Sequence, residues 1–165
     1  MVTYGEASNP LESYAAADGS MAEDRRAILG YASLIDGSTV SWSSKWREMI
    51  DSLSITESEY PAVTHGGKEA FWLRTLISEI FGDLKVPTTL FYDNQAAIAP
   101  TRDHQYHPRI RYIDVRYHWI RWVVEMGSIR LVCYPTDDMV ADALTKPLPS
   151  AKVKHFASAL GWCAK

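Results

Sequence analysis

Asp93 closes the run Thr88-Thr89-Leu90-Phe91-Tyr92 and opens Asn94-Gln95-Ala96-Ala97-Ile98. Strand-favouring residues after Pro87 give way at once to helix formers, so this carboxylate stands on a strand-to-helix junction. In α/β sheets, ligand sites gather beyond the carboxyl ends of strands. The same aspartate would also serve as a helix N-cap. Glu59 lies where a helix leading to that strand begins, and Ser54-Ile55-Thr56-Glu57 and Thr56-Glu57-Ser58-Glu59 both fit capping boxes. Asp138 and Asp142 are four residues apart, which on a helix places them on one face, where they repel unless a cation is near. Lys146, four residues after Asp142, can pair with it. Each acid therefore has a structural role open to it. Jointly, separated carboxylates at strand ends and helix starts, among Glu59, Asp93, Asp138 and Asp142, fit a hard-cation site, because magnesium takes oxygen ligands and few of them from protein.

The elements that must position these groups follow from periodicity and turn chemistry. Met1 to Asn9 reads as a polar lead-in, and Leu11 to Ala17 as a first strand ended by Asp18-Gly19-Ser20. Ala27 to Ile35 predicts a second strand, joined through Asp36-Gly37-Ser38 to a third over Thr39 to Ser43, since Asp-Gly favours hairpins. Leu73, Leu76, Ile77 and Ile80 predict one apolar helix face, with Gly82 as its C-terminal cap. A strand before Asp93 reached through that helix implies a crossover and parallel pairing. Asn94 to Ala99 predicts a short helix stopped by Pro100, and Thr101 to Ile110 a loop. Ile113, Tyr117, Ile120 and Val124 mark another helix ended by Gly127, and Ser128 to Tyr134 a last strand. Thr136-Asp137-Asp138 caps a helix expected to run through Thr145. Ser150 caps the final one, with Val153, Phe156, Ala157 and Leu160 as its buried face. Three antiparallel strands followed by alternating helices and strands make one α/β sheet.

The totals agree with a globular chain. At 165 residues, 47% hydrophobic and 22% charged, with nine Gly and eight Pro, residues 1–165 read as one domain able to bury a core. No apolar run approaches membrane-spanning length and no secretion leader is visible, so no membrane is expected and the setting is intracellular, cytoplasm or nucleus. Cys133 and Cys163 form no metal or disulfide pattern, which favours reduced thiols. A net charge of −3 supplies no general pull toward nucleic acid, so any such binding needs a local patch.

Four segments carry a family resemblance. Ser54-Ile55-Thr56-Glu57-Ser58-Glu59-Tyr60 with Lys68-Glu69-Ala70-Phe71-Trp72-Leu73 is similar to the "S-T-E-A-E-Y … K-E-A-L-W-L" signature of copia-type retrotransposon polyproteins. Tyr92 to Ile98 resembles the family's "D-N-Q-S-A-I", and Tyr112 to Arg121 its "H-I-D-I-R-Y-H-F-I-R". Thr136 to Leu148 resembles "T-E-D-Q-L-A-D-I-L-T-K-P-L". The likeness runs from Thr3 to Trp162 and points to the ribonuclease H domain of those polyproteins. It implies an RNase H-like fold, a five-stranded mixed sheet (three antiparallel strands, then two parallel) flanked by helices. It also implies hydrolysis of the RNA strand of an RNA/DNA hybrid with Mg2+ or Mn2+, two metals being held about 4 Å apart by carboxylates. Of the family's four carboxylates, three carry over, to Glu59, Asp93 and Asp142. Asn94 and Gln95, within "D-N-Q", are implied on the substrate side.

The fourth does not carry over. The family's first strand reads "G-Y-S/A-D-A-D", its first Asp bridging both metals; this chain reads Ser13-Tyr14-Ala15-Ala16-Ala17-Asp18, so Ala16 holds that position. Asp18 points to the same face but lies about 6–7 Å further along the strand. Loss of a bridging ligand is worth on the order of 4 kcal/mol, about a thousandfold in rate, so impaired catalysis and weak or absent metal binding are expected. Pro61 after Glu59 would cost a running helix about 3 kcal/mol. Gly66-Gly67 would cost about 1 kcal/mol each relative to alanine. No counterpart of the catalytic-loop histidine of cellular enzymes is visible.

Arg102, Arg109, Arg111, Arg116 and Arg121, interleaved with Tyr106, Tyr112 and Tyr117, form the cationic-aromatic cluster of the chain. It suits phosphates and the wide minor groove of a hybrid; the bland alternative is core tyrosines and solvated arginines. Two functions follow. One is a retrotransposon-type ribonuclease H, impaired at Ala16; the other is a domesticated, non-catalytic module for nucleic acid or a protein partner.

Overall fold

A computed structural model describes residues 11–18, 26–48, 55–93 and 111–162, with side chains given outside 26, 47–48, 55–60 and 111–117. Strand β1 (Leu11–Asp18) pairs antiparallel with β2 (Arg26–Ile35), which pairs antiparallel with β3 (Ser38–Glu48). Asp36 and Gly37 turn the hairpin with φ of 49° and 74°, the doubly left-handed geometry that Asp-Gly accommodates. Helix α1 (Ile55–Phe81) crosses over to β4 (Thr88–Tyr92), which lies parallel to β1. Helix α2 (Arg111–Glu125) leads to β5 (Ile129–Cys133), parallel to β4. Two 3-10 turns, Thr136–Asp138 and Val140–Leu144, precede helix α3 (Ser150–Ala159). The sheet order β3-β2-β1-β4-β5 is the expected five-stranded mixed arrangement.

Strand alternation splits the core between the two faces of this sheet. Ala15, Tyr31, Leu90 and Ile129 pack against Val63 and Ala70 of α1 and Ile120 and Val123 of α2. On the other face, Ala32 and Leu34 meet Val140, Phe156 and Leu160. Ser13 and Ser33, opposite each other across β1 and β2, are buried and satisfy one another at 2.8 Å. Arg74 of α1 donates to the carbonyls of Val86 (2.7 Å) and Leu84, tying the crossover to the start of β4. Among the described residues, no helix is long and apolar enough to cross a membrane.

Several sequence expectations change. On α1, Leu73 and Ile77 are buried, but Leu76 and Ile80 are 37% and 62% exposed. The stripe facing the sheet runs instead through Val63, Gly66, Ala70, Leu73 and Ile77, because it is the sheet that selects the face. On α3, Phe156 and Leu160 are buried and Val153 is exposed; Ser150 makes no side-chain cap, and Pro149 takes the N-cap place. Strand β3 runs to Glu48, beyond the expected Ser43. The helix expected from Thr136 to Thr145 is broken: Met139 is extended (φ −71°, ψ 95°) between the two 3-10 turns. The short helix over 94–99 and the loop over 101–110, with His104 and His107, lie outside the described residues.

The Gly66-Gly67 pair is no lesion. A Cβ on Gly66 would stand 3.0 Å from Ala15 Cβ and 3.2 Å from Tyr31 Cβ, and one on Gly67 2.9 Å from Ile120 Cδ1. These glycines let α1 lie close on the sheet and on α2, so the propensity lost in the helix is offset by packing. Pro61 sits inside α1, which runs unbroken from Ile55. Glu59 therefore belongs to the opening turns of α1, one turn ahead of buried Val63, and not to a segment before the helix.

Gly30 makes a second close approach, on the opposite face. A Cβ there would lie 2.7 Å from Thr145 Cγ2, 3.0 Å from Leu144 Cβ and 3.2 Å from the Ala141 carbonyl. Since Thr145 is buried and β-branched, it cannot swing aside. Gly30→Ala is expected to destabilise the protein by about 1–3 kcal/mol through overpacking, read as a lower urea midpoint with an unchanged m value.

Candidate functional site

Strand register assembles the site. Tyr14 of β1 is level with Phe91 of β4, the last pair of the parallel ladder, and Ala16 and Asp93 each follow two residues on. Alternation keeps Ala16 on the face of Tyr14. On β2, Ala16 is paired with Gly30, the notch over which the second 3-10 turn closes. That turn carries Asp142. Its main chain wraps the residue: the Asp142 N–H donates to Met139 O (3.0 Å), and its carbonyl accepts from the N–H groups of Thr145 and Lys146, both at 3.1 Å.

Three chain segments thus converge on one spot at the carboxyl end of β1 and β4. The Asp142 carboxylate is fully buried. Lys146 Nζ lies 2.7 Å from Oδ2 as its ion-pair and hydrogen-bond partner, and no other described group donates to either oxygen. Burial pushes the Asp142 pKa up; Lys146 opposes this, Asp93 adds to it, and Lys152 opposes it again. The carboxylates of Asp93 and Asp142 are therefore close enough for their charges to interact. Asp138, expected on the same helical face as Asp142, is exposed, because the extended Met139 turns the chain between them.

At Ala16 the site is apolar. The residue is 2% exposed and packs with Met139 and Ala141, both fully buried. Tyr14, Phe91 and Tyr134 flank this cluster, with Tyr14 stacked on Phe91 at 4.7 Å and Tyr134 tilted against Phe91 at 4.8 Å. Burial, and next the charge of Glu12, push the Tyr14 phenol well above its ordinary range, so it stays protonated.

Among the described residues, no three His, Cys, Asp or Glu side chains come together as a metal would require, so Asp18 does not complete a set with Asp93 and Asp142. The oxygens of Asp142 are hard-cation donors in kind. Among the described side chains, two carboxylates, a methyl group and an ammonium meet here. The side chains of Glu59, Arg111 and Arg116, and all of Asn94, Gln95 and Arg109, lie outside the described residues. Arg121 is half-buried and lies 3.9 Å from Glu125. Sequence reasoning named Lys146 only as a pairing partner and passed over Gly30 and Lys152. A glycine inside a strand was the available signal, since it marks close backbone approach.

A raised pKa at Asp142 makes stability depend on pH. The folded protein holds the Asp142 proton at pH values where the unfolded chain, near 3.8, has lost it. The protein is then favoured at low pH, and that advantage is lost as pH rises through the folded value. Asp142→Asn lacks this component. Urea unfolding across pH should show the variant gaining on the parent above pH 3.8 and then levelling off, each tenfold in acidity being worth about 1.4 kcal/mol.

Comparison with known proteins accords with the geometry. No family model matches the chain. The retrovirus-related Pol polyprotein from transposon TNT 1-94 of Nicotiana tabacum is 36% identical over 161 residues, 96% of this chain and 12% of that protein. The Pol polyprotein from transposon RE1 of Arabidopsis thaliana is 33% identical over 156 residues, 93% of this chain and 11% of that one. The chain thus spans about an eighth of the length of these relatives. Among solved structures, LC11-RNase H1 in complex with an RNA/DNA hybrid superposes with a TM-score of 0.58 at 13% identity, covering 82% of this chain and 93% of that one. The N-terminal RNase H domain of rv2228c from Mycobacterium tuberculosis gives 0.53 at 14%, covering 90% and 95%. The chain belongs to the retrovirus-related Pol polyproteins of copia-type transposons, as a segment of them with the RNase H fold.

Proposed function

We propose that residues 1–165 form a retrotransposon-type ribonuclease H domain that binds RNA/DNA hybrids and is impaired in cleaving them. The observation that carries this reading is Ala16: a buried methyl two residues past the Tyr14–Phe91 pair, packed against Met139 and Ala141, which flank the start of the turn that holds Asp142. In this reading Glu59, Asp93 and Asp142 are what remains of a four-carboxylate set for Mg2+ or Mn2+, and Ala16 marks the missing member. The family's two-metal hydrolysis would need a shared ligand that a methyl cannot supply. The protein's own residues still do part of the work. The β1–β4 ladder ends two residues short of Ala16 and Asp93, and the turn seated over Gly30 carries Asp142, which supports this reading.

Arg109, Arg111, Arg116, Asn94 and Gln95 are the proposed hybrid contacts. Gel shifts with a labelled hybrid should give affinity that falls with salt. Arg111→Ala with Arg116→Ala should reduce the log-log salt slope by about one for each phosphate that is no longer neutralised. A slope near zero in the parent would count against nucleic acid.

Ala16→Asp separates the impaired enzyme from a domesticated binding module. The new carboxylate enters a buried apolar cluster beside two acids, so without divalent ions the variant should be less stable by about 3 kcal/mol or more. With Mn2+ it should cleave the RNA strand at a rate about a thousandfold above the parent, the equivalent of about 4 kcal/mol. A folded variant that binds hybrid and does not cut favours the non-catalytic module.

A further inference from the structure

Asp142 poses a charge problem that its own hydrogen bonds do not solve. The carboxylate is fully buried, takes no hydrogen bond from any described group but Lys146, and feels the charge of Asp93. An isolated ionised carboxylate in such a place costs several kcal/mol. Lys146 Nζ, at 2.7 Å from Oδ2, supplies the compensating charge. Lys152 adds a weaker field from further off, its ammonium lying 3.1 Å from Asp137 Oδ1 and 5.4 Å over the Phe156 ring.

The two partners differ in their freedom. The side chain of Asp142 is 1% exposed and that of Lys146 is 31% exposed. The carboxylate is held by a turn seated in the Gly30 notch, with its backbone bonded on both sides. The lysine reaches in from the solvent side on a flexible stem, so it can withdraw into water while the carboxylate cannot. An ammonium and a divalent ion compete for the same lone pairs, and the one already tethered has a high effective concentration.

We propose that Lys146 is a tethered counter-cation on Asp142, and that a divalent ion reaches this carboxylate only by displacing it. This rests on the reading of Asp93 and Asp142 as remnants of the family's carboxylate set. An occupied oxygen at Asp142 then adds to the missing one at Ala16 as an obstacle to a divalent ion. Removal of the ammonium should leave a buried, unpaired carboxylate that a free cation can satisfy.

The test uses the 165-residue protein and Mn2+ alone, with free Mn2+ followed by electron paramagnetic resonance. Lys146→Met should bind Mn2+ at least about tenfold more tightly than the parent, and should melt lower in chelator and recover with Mn2+. Adding Asp142→Asn should abolish the gain. Equal affinity in Lys146→Met and parent, or a gain that survives Asp142→Asn, overturns the proposal. If Lys146→Met is unfolded in chelator, Lys146→Gln replaces it; if both are unfolded, refolding on Mn2+ supports the proposal and continued unfolding overturns it. Because no hybrid is present, a negative gel shift with a positive Mn2+ result removes only the hybrid reading, and the reverse removes only the counter-cation.

Discussion

A buried carboxylate with a single lysine as its partner is the constraint on which this molecule turns. Water would solvate Asp142 far better than the protein does, so the fold must compensate for its desolvation or keep a proton on it. Its compensation is one ammonium, Lys146, while Asp93 works in the opposite direction. Much nearby structure serves to keep that carboxylate where it is. The Gly30 notch admits the turn, Thr145 is buried against it, and Met139 and Ala141 close the space beside it. Without a close seat on β2 the turn would lift and the acid would return to solvent.

Ala16 belongs to the same accounting. Its burial under Met139 and Ala141 makes a small apolar cluster at the point where β1, β4 and the turn meet. A third acid there would add to the repulsion between Asp93 and Asp142 unless a cation came with it. With a methyl in place, Asp142 keeps Lys146 as its ion-pair partner, and the space beside it is closed by apolar side chains.

The rest of the fold holds the register that makes these meetings possible. Parallel pairing of β1 with β4 needs a crossover, and α1 supplies it, lying close on the sheet through Gly66 and on α2 through Gly67. Arg74 fastens the far end of that crossover to the loop before β4. At the opposite edge, the hydroxyl and N–H of Thr39 both donate to the Leu160 carbonyl, tying the β2–β3 hairpin to the end of α3. The two faces of the sheet are thereby covered by segments distant in sequence, and the site lies where three of them end.

Local chemistry sufficed for much of this. The Asp36-Gly37 hairpin, the strand running into Asp93, the end of α1 at Gly82 and the Lys146 pairing with Asp142 all follow from short-range rules, because turn geometry and side-chain spacing are properties of a few neighbouring residues. Motif likeness brought out the family and the odd methyl at Ala16. Tertiary structure alone decided the rest. It chose Ala70 and Gly66 over Leu76 and Ile80 as the buried stripe of α1, since burial depends on which face meets the sheet. It broke the expected helix at Met139, burying Asp142 and leaving Asp138 in water. It turned two apparent flaws, Gly66 and Gly67, into points of close packing, and it gave Gly30 a turn to seat. A missing side chain reads as a deficit along a chain, and only the neighbour that comes to lie against it reveals what the space is for.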